Sequence, residues 1–330
     1  MLNSLFILVG AFVGAGFASG KEIFNFFTVY NLNGIISIFI FNFLIFFIFY
    51  KILNIRLKYN LENYSDFLEL LYNKYSFFNN KIFLFIINIF LATVFYLMIV
   101  ALCTLFNYQF GIAKIIINII IILFCYNIFY KNNLNFICYF NTLLMPILII
   151  FLIYLSINNI NINSIIFNNN INNLIKSLFY GLLYFSYNGL VIIPLLFKIK
   201  IKNKKNIFLL SLFFSLIIFT LSILINLLLL SNFNYIKNID LPILAICNKK
   251  NSFYSYSYFF IILSAILSTL FSSGYAFISN LNKKNKRIAL IIFLSFSFIF
   301  QIFSFSNLIN ILYPFFGLLG LFQIFIVLFY

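Results

Sequence analysis

The chain is 330 residues long, 65% of them hydrophobic and only 8% charged, with a mean hydropathy of +1.12. Soluble domains carry about 25% charged residues, which excludes a soluble globular fold and leaves no domain on which the net charge of +16 could form a nucleic-acid-binding face. The absence of histidine excludes imidazole relays and imidazole metal sites, and Cys103, Cys125, Cys138 and Cys247 form no CxxC pair or disulfide framework.

A bilayer core about 30 Å thick takes about 20 apolar residues per helix. On that ruler ten spans are predicted, at about 4–30, 34–53, 81–107, 111–130, 134–157, 174–197, 206–230, 253–279, 287–305 and 307–329. The expected fold is an all-α polytopic membrane protein, a single transmembrane domain over 1–330 whose constant partner is the lipid bilayer. Heavy use of Phe, Ile, Asn, Lys and Tyr is a compositional bias, so lone aromatic or asparagine residues carry little weight.

The first span holds Gly10, Gly14, Gly16 and Gly20, four of the chain's eleven glycines, in the run Val13-Gly14-Ala15-Gly16-Phe17-Ala18-Ser19-Gly20. Lys21 and Glu22 follow at once. Glycine in a helix interior costs about 1 kcal/mol relative to alanine, and freed backbone groups are tolerated in a bilayer only where protein or a cavity uses them. The run therefore predicts a helix opened over Gly14–Gly20, with Gly14, Ala15, Gly16, Phe17, Ser19 and Gly20 as substrate-binding candidates. The half-helix starting near Lys21 would present its N–H groups and positive dipole end to an anionic group such as a solute carboxylate. Close helix packing through small residues is the alternative use of the same glycines. Glu22 is the one acid placed within a span; it is a candidate proton carrier or ligand for a solute ammonium, or a dipole-complementing acid in a first helical turn. The segment lacks the basic stretch of a signal peptide and is expected to stay in the mature chain.

Residues 62–73 put Glu62, Asp66 and Glu69 on one face with Phe67, Leu70 and Leu71 nearby, predicting a short amphipathic helix at the membrane surface. In the sixth span, Tyr184-Phe185-Ser186-Tyr187-Asn188-Gly189 followed by Pro194 predicts a second interruption. There Ser186, Asn188 and Gly189 would turn carbonyls and donors toward the first helix, and Tyr184 and Tyr187 would close over a ligand. An ordinary kink at Gly189 and Pro194 is the alternative. Asp240-Leu241-Pro242 opens a short helix with Asp240 as its cap.

Fifteen of the 21 basic residues fall on one set of loops and five on the other, with Lys21 in the first span. That bias places both termini in the cytoplasm, in a cell (inner) membrane. Ten spans divide into two sets of five, about 4–157 and 174–329. Five is odd, so the sets enter the membrane in opposite senses, each beginning with an interrupted helix, the best sequence pointer to a transporter site.

Val13-Gly14-Ala15-Gly16-Phe17-Ala18-Ser19-Gly20-Lys21-Glu22 resembles the first-helix motif of the YkvI-like membrane proteins, of the amino acid–polyamine–cation superfamily. Leu183-Tyr184-Phe185-Ser186-Tyr187-Asn188, Asp240-Leu241-Pro242 and Leu312-Tyr313-Pro314-Phe315-Phe316-Gly317 extend the similarity along the chain. The resemblance implies a LeuT-like five-plus-five inverted repeat with discontinuous helices 1 and 6 and solute held between them. It further implies a substrate-contacting hydroxyl in the third span, at Tyr96 or Thr93. It also implies a Na+ site between Ser268 and Thr269 of the eighth span and first-helix carbonyls near Val13 and Gly14; Ser and Thr also serve as ordinary interhelical hydrogen-bond groups.

The expected function is secondary active transport of an amino acid or similar small organic solute, coupled to Na+ or H+, with no other cofactor. A ligand-sensing membrane subunit of a receptor complex, of the germinant-receptor kind, is the alternative, with partner subunits unknown. No GxxxxGK[ST] loop and no catalytic constellation is present, so neither ATP hydrolysis nor other enzymatic activity is expected.

Overall fold

The computed structural model describes residues 2–61, 64–75, 80–130, 134–162, 165, 171–197, 199, 203–279 and 286–329. The described residues are helical, with no strand among them. Glu62, Lys131, Lys198, Lys200, Lys202, Lys283 and Lys284, on which the surface-helix and loop-charge expectations partly rest, lie outside the described residues.

The first span is three pieces: α1 (Leu2–Phe12), α2 (Ala15–Ser19) and α3 (Lys21–Phe26), followed by a 3-10 turn at Thr28–Tyr30. The chain then runs through α4 (Leu32–Lys58), α5 (Tyr64–Tyr75), α6 (Asn80–Phe110), α7 (Lys114–Tyr130), α8 (Leu134–Asn159), α9 (Ile171–Leu196) and α10 (Lys204–Ser231). Short α11 (Phe233–Ile236) and α12 (Pro242–Lys250) precede α13 (Ser252–Ser279), the pair α14 (Lys286–Ser295) and α15 (Ser297–Phe300), and α16 (Phe305–Phe329). Every predicted span is thus helical. Among the described residues, six helices are long and apolar enough to cross a membrane: α4, α6, α9, α10, α13 and α16. On α7, which is shorter, Ile115, Ile116, Ile119, Ile120 and Leu123 all face outward, an apolar strip that suits lipid and not water.

The opened helix is the centre of the bundle. α1 touches α8, α9, α10 and α13, while α6 lies along α13, α10 along α4, and α16 along α9. Leu8, Val9, Phe12, Val13, Ala15, Phe17, Ala18, Ile23, Phe24, Phe26 and Phe27 are all buried, so the interruption faces protein and not lipid, as a bilayer demands.

The two ends of the bundle are tied differently. At the end where α1 begins (the near end), Arg56 of α4 donates from Nη1 to the Leu196 and Ile199 carbonyls, both at 2.6 Å. Its guanidinium lies over Phe197 at 5.7 Å. The predicted surface helix is α5, which buries Phe67 and Leu71 and leaves Glu69 exposed; the Phe67 ring packs on Phe197 at 4.9 Å. At the far end, Ser177 Oγ of α9 meets Ser37 Oγ of α4 at 2.5 Å and donates to the Asn33 carbonyl at 2.9 Å.

Two expectations need correction. The sixth span is not interrupted: α9 runs unbroken through Ser186–Gly189. Its polar side chains bond back to their own helix, Ser186 Oγ to the Leu182 carbonyl and Asn188 Nδ2 to the Tyr184 carbonyl at 2.9 Å. Small residues of α16 cover the same turns: a Cβ at Gly320 would meet the Ser186 carbonyl, and one at Gly317 the Leu183 carbonyl at 2.8 Å. The glycine and hydroxyl content that reads as a break serves a close helix crossing. Asp240 does not cap α12 either. That helix begins on Pro242 behind Leu241, with no side-chain cap, and Asp240 accepts instead from Ser306 at the start of α16, through its Oγ and, at 3.3 Å, its backbone N–H.

Candidate functional site

The first helix opens because its glycines prevent a continuous ladder, and each does something different. α1 ends with Val13 N–H on the Val9 carbonyl and Gly14 N–H turned onto Phe12, both bonds under 3 Å (2.8 and 2.9 Å). Gly14 is extended, and α2 is a single turn. Gly20 sits at φ +81°, ψ −4°, a left-handed conformation that a side chain resists, and it redirects the chain into α3. Gly10 is a packing glycine: a Cβ there would meet Met145 at 2.9 Å. Both sequence readings of the run therefore hold, at different residues.

Gly16 makes room for the site itself. Glu22, buried in the first turn of α3, folds back until its carboxylate lies where a Cβ on Gly16 would be. Tyr187 of α9 donates to Glu22 Oε2 at 2.5 Å. Tyr313 of α16 and the Phe17 backbone amide lie beside the same carboxylate, and the Tyr187 and Tyr313 rings stack 4.4 Å apart. Break, α9 and α16 thus converge on one acid. Chemically, a carboxylate that accepts from a tyrosine hydroxyl inside a membrane bundle can take up a proton or hold a cation.

Lys21, its neighbour in sequence, points the other way. Its Nζ donates to the Ile239 carbonyl at 2.9 Å and lies 5.4 Å from the Phe24 ring. The Lys21 N–H goes to Ser19 Oγ at 3.3 Å, and Ser19 Oγ donates to the Gly16 carbonyl at 3.0 Å. At the start of the second half-helix the Lys21 N–H is thus already occupied, with Ser19 closing the turn.

Above this cluster, at the far end, is a cavity of about 210 Å³ lined by Asn25, Phe26, Val29, Tyr30, Tyr180, Asn310 and Pro314. Asn25 and Asn310 bridge across it at 2.6 Å. Phe26 forms its floor, its ring 6.0 Å from Tyr187 and 5.4 Å from Tyr184.

The other predicted residues divide. Ala15 and Phe17 are buried in the opened segment, and Tyr184 packs against Phe12, Phe26 and Phe27. Ser186, Asn188 and Gly189 lie in unbroken helix; Gly189 faces Ile324 at an ordinary contact distance of 3.4 Å. Tyr96 is not at the break: its hydroxyl donates to the Phe293 carbonyl at 2.9 Å and its ring stacks on Phe300, tying α6 to α14 and α15. Thr93 bonds to the Phe90 carbonyl of its own helix. Of the expected sodium ligands, Thr269 comes against the break, its Oγ1 3.7 Å from a Cβ at Gly14, while its proton goes to the Ala265 carbonyl; Ser268 is buried beside it, as is Val13. Hard oxygen donors suit Na+, but Thr269 is the one hydroxyl brought to Gly14 in this set, so the fit is partial. Among the described residues no group of three or more Cys, Asp or Glu gathers to hold a metal.

Sequence reasoning missed Tyr313, Phe26 and Tyr258, the last a fully buried α13 residue whose hydroxyl donates to the Ala18 carbonyl left open by the break. It also missed Asn226, which accepts from Thr28 at 2.7 Å. No family model, curated protein or solved structure matches the chain.

Proposed function

We propose that this chain is a secondary active transporter of a small organic solute, an amino acid or a compound of similar size, working by alternating access. The observation that carries the reading is the first helix, opened at Gly14 and Gly20 around a buried carboxylate beneath a cavity. Transporters use helices opened among protein neighbours to expose polar groups midway through the bilayer. In this reading ten segments cross a cell membrane with both termini cytoplasmic. Two sets of five are related by inversion, as in the LeuT fold and in the YkvI-like proteins whose first-helix motif this chain resembles. The inversion now rests on connectivity alone, since α9 supplies hydroxyls and no second break.

The two ends support the same reading. Arg56, Phe197 and α5 close the near end, while the cavity lies at the far end, as expected of one half of an alternating cycle. Solute would enter over Phe26 and meet Glu22, and loss of the carboxylate's hydrogen bond to Tyr187 would release α9 from the first helix. Glu22 is then the candidate for proton coupling. Glu22→Gln should flatten the pH dependence of uptake, and an unchanged profile would assign coupling elsewhere.

The test is a thermal-shift screen of the purified chain against amino acids and amines, with and without sodium, followed by uptake into liposomes. A ligand bound only by the folded protein raises the melting temperature by mass action. Binding with flux supports the proposal; binding without flux turns the reading to a sensing subunit; neither, across the panel, overturns it.

A further inference from the structure

At the far end, α3 and α16 are joined by two rungs. Lys21 and Asn25 lie four residues apart on α3, and Ser306 and Asn310 four apart on α16, so each pair shares a helix face. One rung is direct: Asn25 Nδ2 donates to Asn310 Oδ1 at 2.6 Å. The other runs through the loop between α11 and α12. Lys21 Nζ donates to the Ile239 carbonyl at 2.9 Å. The next residue, Asp240, accepts from Ser306, through its Oγ and, at 3.3 Å, its backbone N–H. Two adjacent loop residues thus hold the two helices.

The charges on this second rung are not matched. The Lys21 ammonium is buried, only 5% exposed, yet its acceptor is a neutral carbonyl. Asp240 lies within electrostatic reach of that ammonium but is bonded to a hydroxyl and an amide in the first turn of α16. Buried cations are ordinarily paired with an acid, and a bond between charged groups is about twice as strong as one between neutral groups. The positive end of the α16 dipole favours Asp240 where it is. Two positive centres therefore compete for one carboxylate, and α3 carries one while α16 carries the other.

Resting on the transporter reading, we infer that Asp240 is a two-position latch of the far end: it holds Ser306 while Asn25 and Asn310 bridge the cavity, and passes to the Lys21 ammonium as α3 and α16 part. Without the exchange, parting would strip the carboxylate of its donors. With it, the bonds lost at Ser306 are offset by an ion pair made only in the open arrangement. The ammonium has three donors and keeps Ile239 as it takes Asp240. The Asn25–Asn310 bridge is neutral and exposed, so water replaces it at little cost.

The test is double electron–electron resonance on the full chain in liposomes. Spin labels go on Val29→Cys, in the 3-10 turn after α3, and Asn307→Cys on α16, both exposed. Cys138→Ser is added, while Cys103, Cys125 and Cys247 are buried and stay. Ser306→Ala removes one donor from the closed position and should raise the ratio of long to short distances about tenfold, as for one bond to a charged group. In that background, where both distances are populated, Asp240→Asn and Lys21→Gln should each lower the ratio about tenfold. The first still accepts at α16 and the second still donates to Ile239, so only the open pair is lost. Combined, they should lower it no further than either alone. Asp240→Asn serves if Lys21→Gln does not fold. One distance throughout, or a ratio that rises in Asp240→Asn or Lys21→Gln, overturns the latch and leaves the transporter reading in place. That reading fails separately, on absence of binding and of liposome uptake across the amino acids and amines.

Discussion

The first and sixth spans carry the same kind of signal, polar and glycine residues inside an apolar run, yet one opens and the other does not. In the first, Gly20 occupies a left-handed conformation and Gly14 an extended one, Tyr258 from α13 completes the freed Ala18 carbonyl, and Glu22 folds back against Gly16. In α9 the polar side chains are short enough to bond their own helix, and two glycines of the neighbouring α16 press against the carbonyls of Leu183 and Ser186. A membrane helix opens where its neighbours bring donors and acceptors, and stays closed where they bring backbone contact. Glycine number alone does not decide this.

The largest expected effect comes from closing the space in the opened helix. Gly16→Leu puts a side chain into the volume of the Glu22 carboxylate, which must then leave Tyr187, Tyr313 and Phe17. Ligand binding should fall at least a hundredfold in calorimetry while the protein still elutes as a folded species; near-normal affinity would show that the break does not form the site. The corresponding assault on the other region acts on stability instead. Gly320→Val wedges α16 off the Ser186 carbonyl, and overpacking of this kind costs about 1–3 kcal/mol. A melting temperature unchanged from the parent would mean that the α9–α16 crossing is looser than the structure has it.

The helical segments were largely legible in the sequence because a bilayer imposes one length on every apolar run. The opened first helix was legible as well, since four glycines in a short stretch have few other uses. What fills the opening was legible only in part. Glu22 stands out as the one acid within a span, but nothing in its six-residue distance from Gly16 says that the reversal at Gly20 brings it back against that glycine. Tyr313 and Tyr258 are two among 22 tyrosines, and only packing shows that they lie against the first helix. Asp240 has the spacing of a cap for α12, yet its partner Ser306 is 66 residues further on. In α9, Ser186 and Asn188 have two ways to be satisfied, inward to a ligand or back to their own helix, and sequence does not choose between them.

A smaller effect sharpens the comparison at the point where the two spans meet. Tyr187→Phe removes one donor from Glu22 without altering the stacking on Tyr313. Hydrogen bonds to charged groups contribute about 1.5–3 kcal/mol, so affinity should fall roughly tenfold to a hundredfold if Glu22 holds the solute. Tyr96→Phe loses a neutral bond to a carbonyl, about 0.5–1.5 kcal/mol, and should lower the melting temperature with no change in affinity. Equal loss of affinity in both variants would mean that Tyr187 acts through stability alone.

The smallest effect is the most discriminating for α9. If Gly189 marked a break, a side chain there would obstruct the site; in unbroken helix it is a glycine with room for a methyl, its Cβ position 3.4 Å from the end of Ile324. Gly189→Ala should therefore leave affinity and uptake at parental levels. Replacing a mid-helix glycine by alanine gains about 0.5–1 kcal/mol, less whatever the flexible tip of Ile324 concedes, so the melting temperature should hold or rise slightly. A tenfold loss of binding with the fold intact would restore the interruption to the sixth span, because only an opened backbone at 189 makes a single methyl group harmful to a ligand and harmless to the helix.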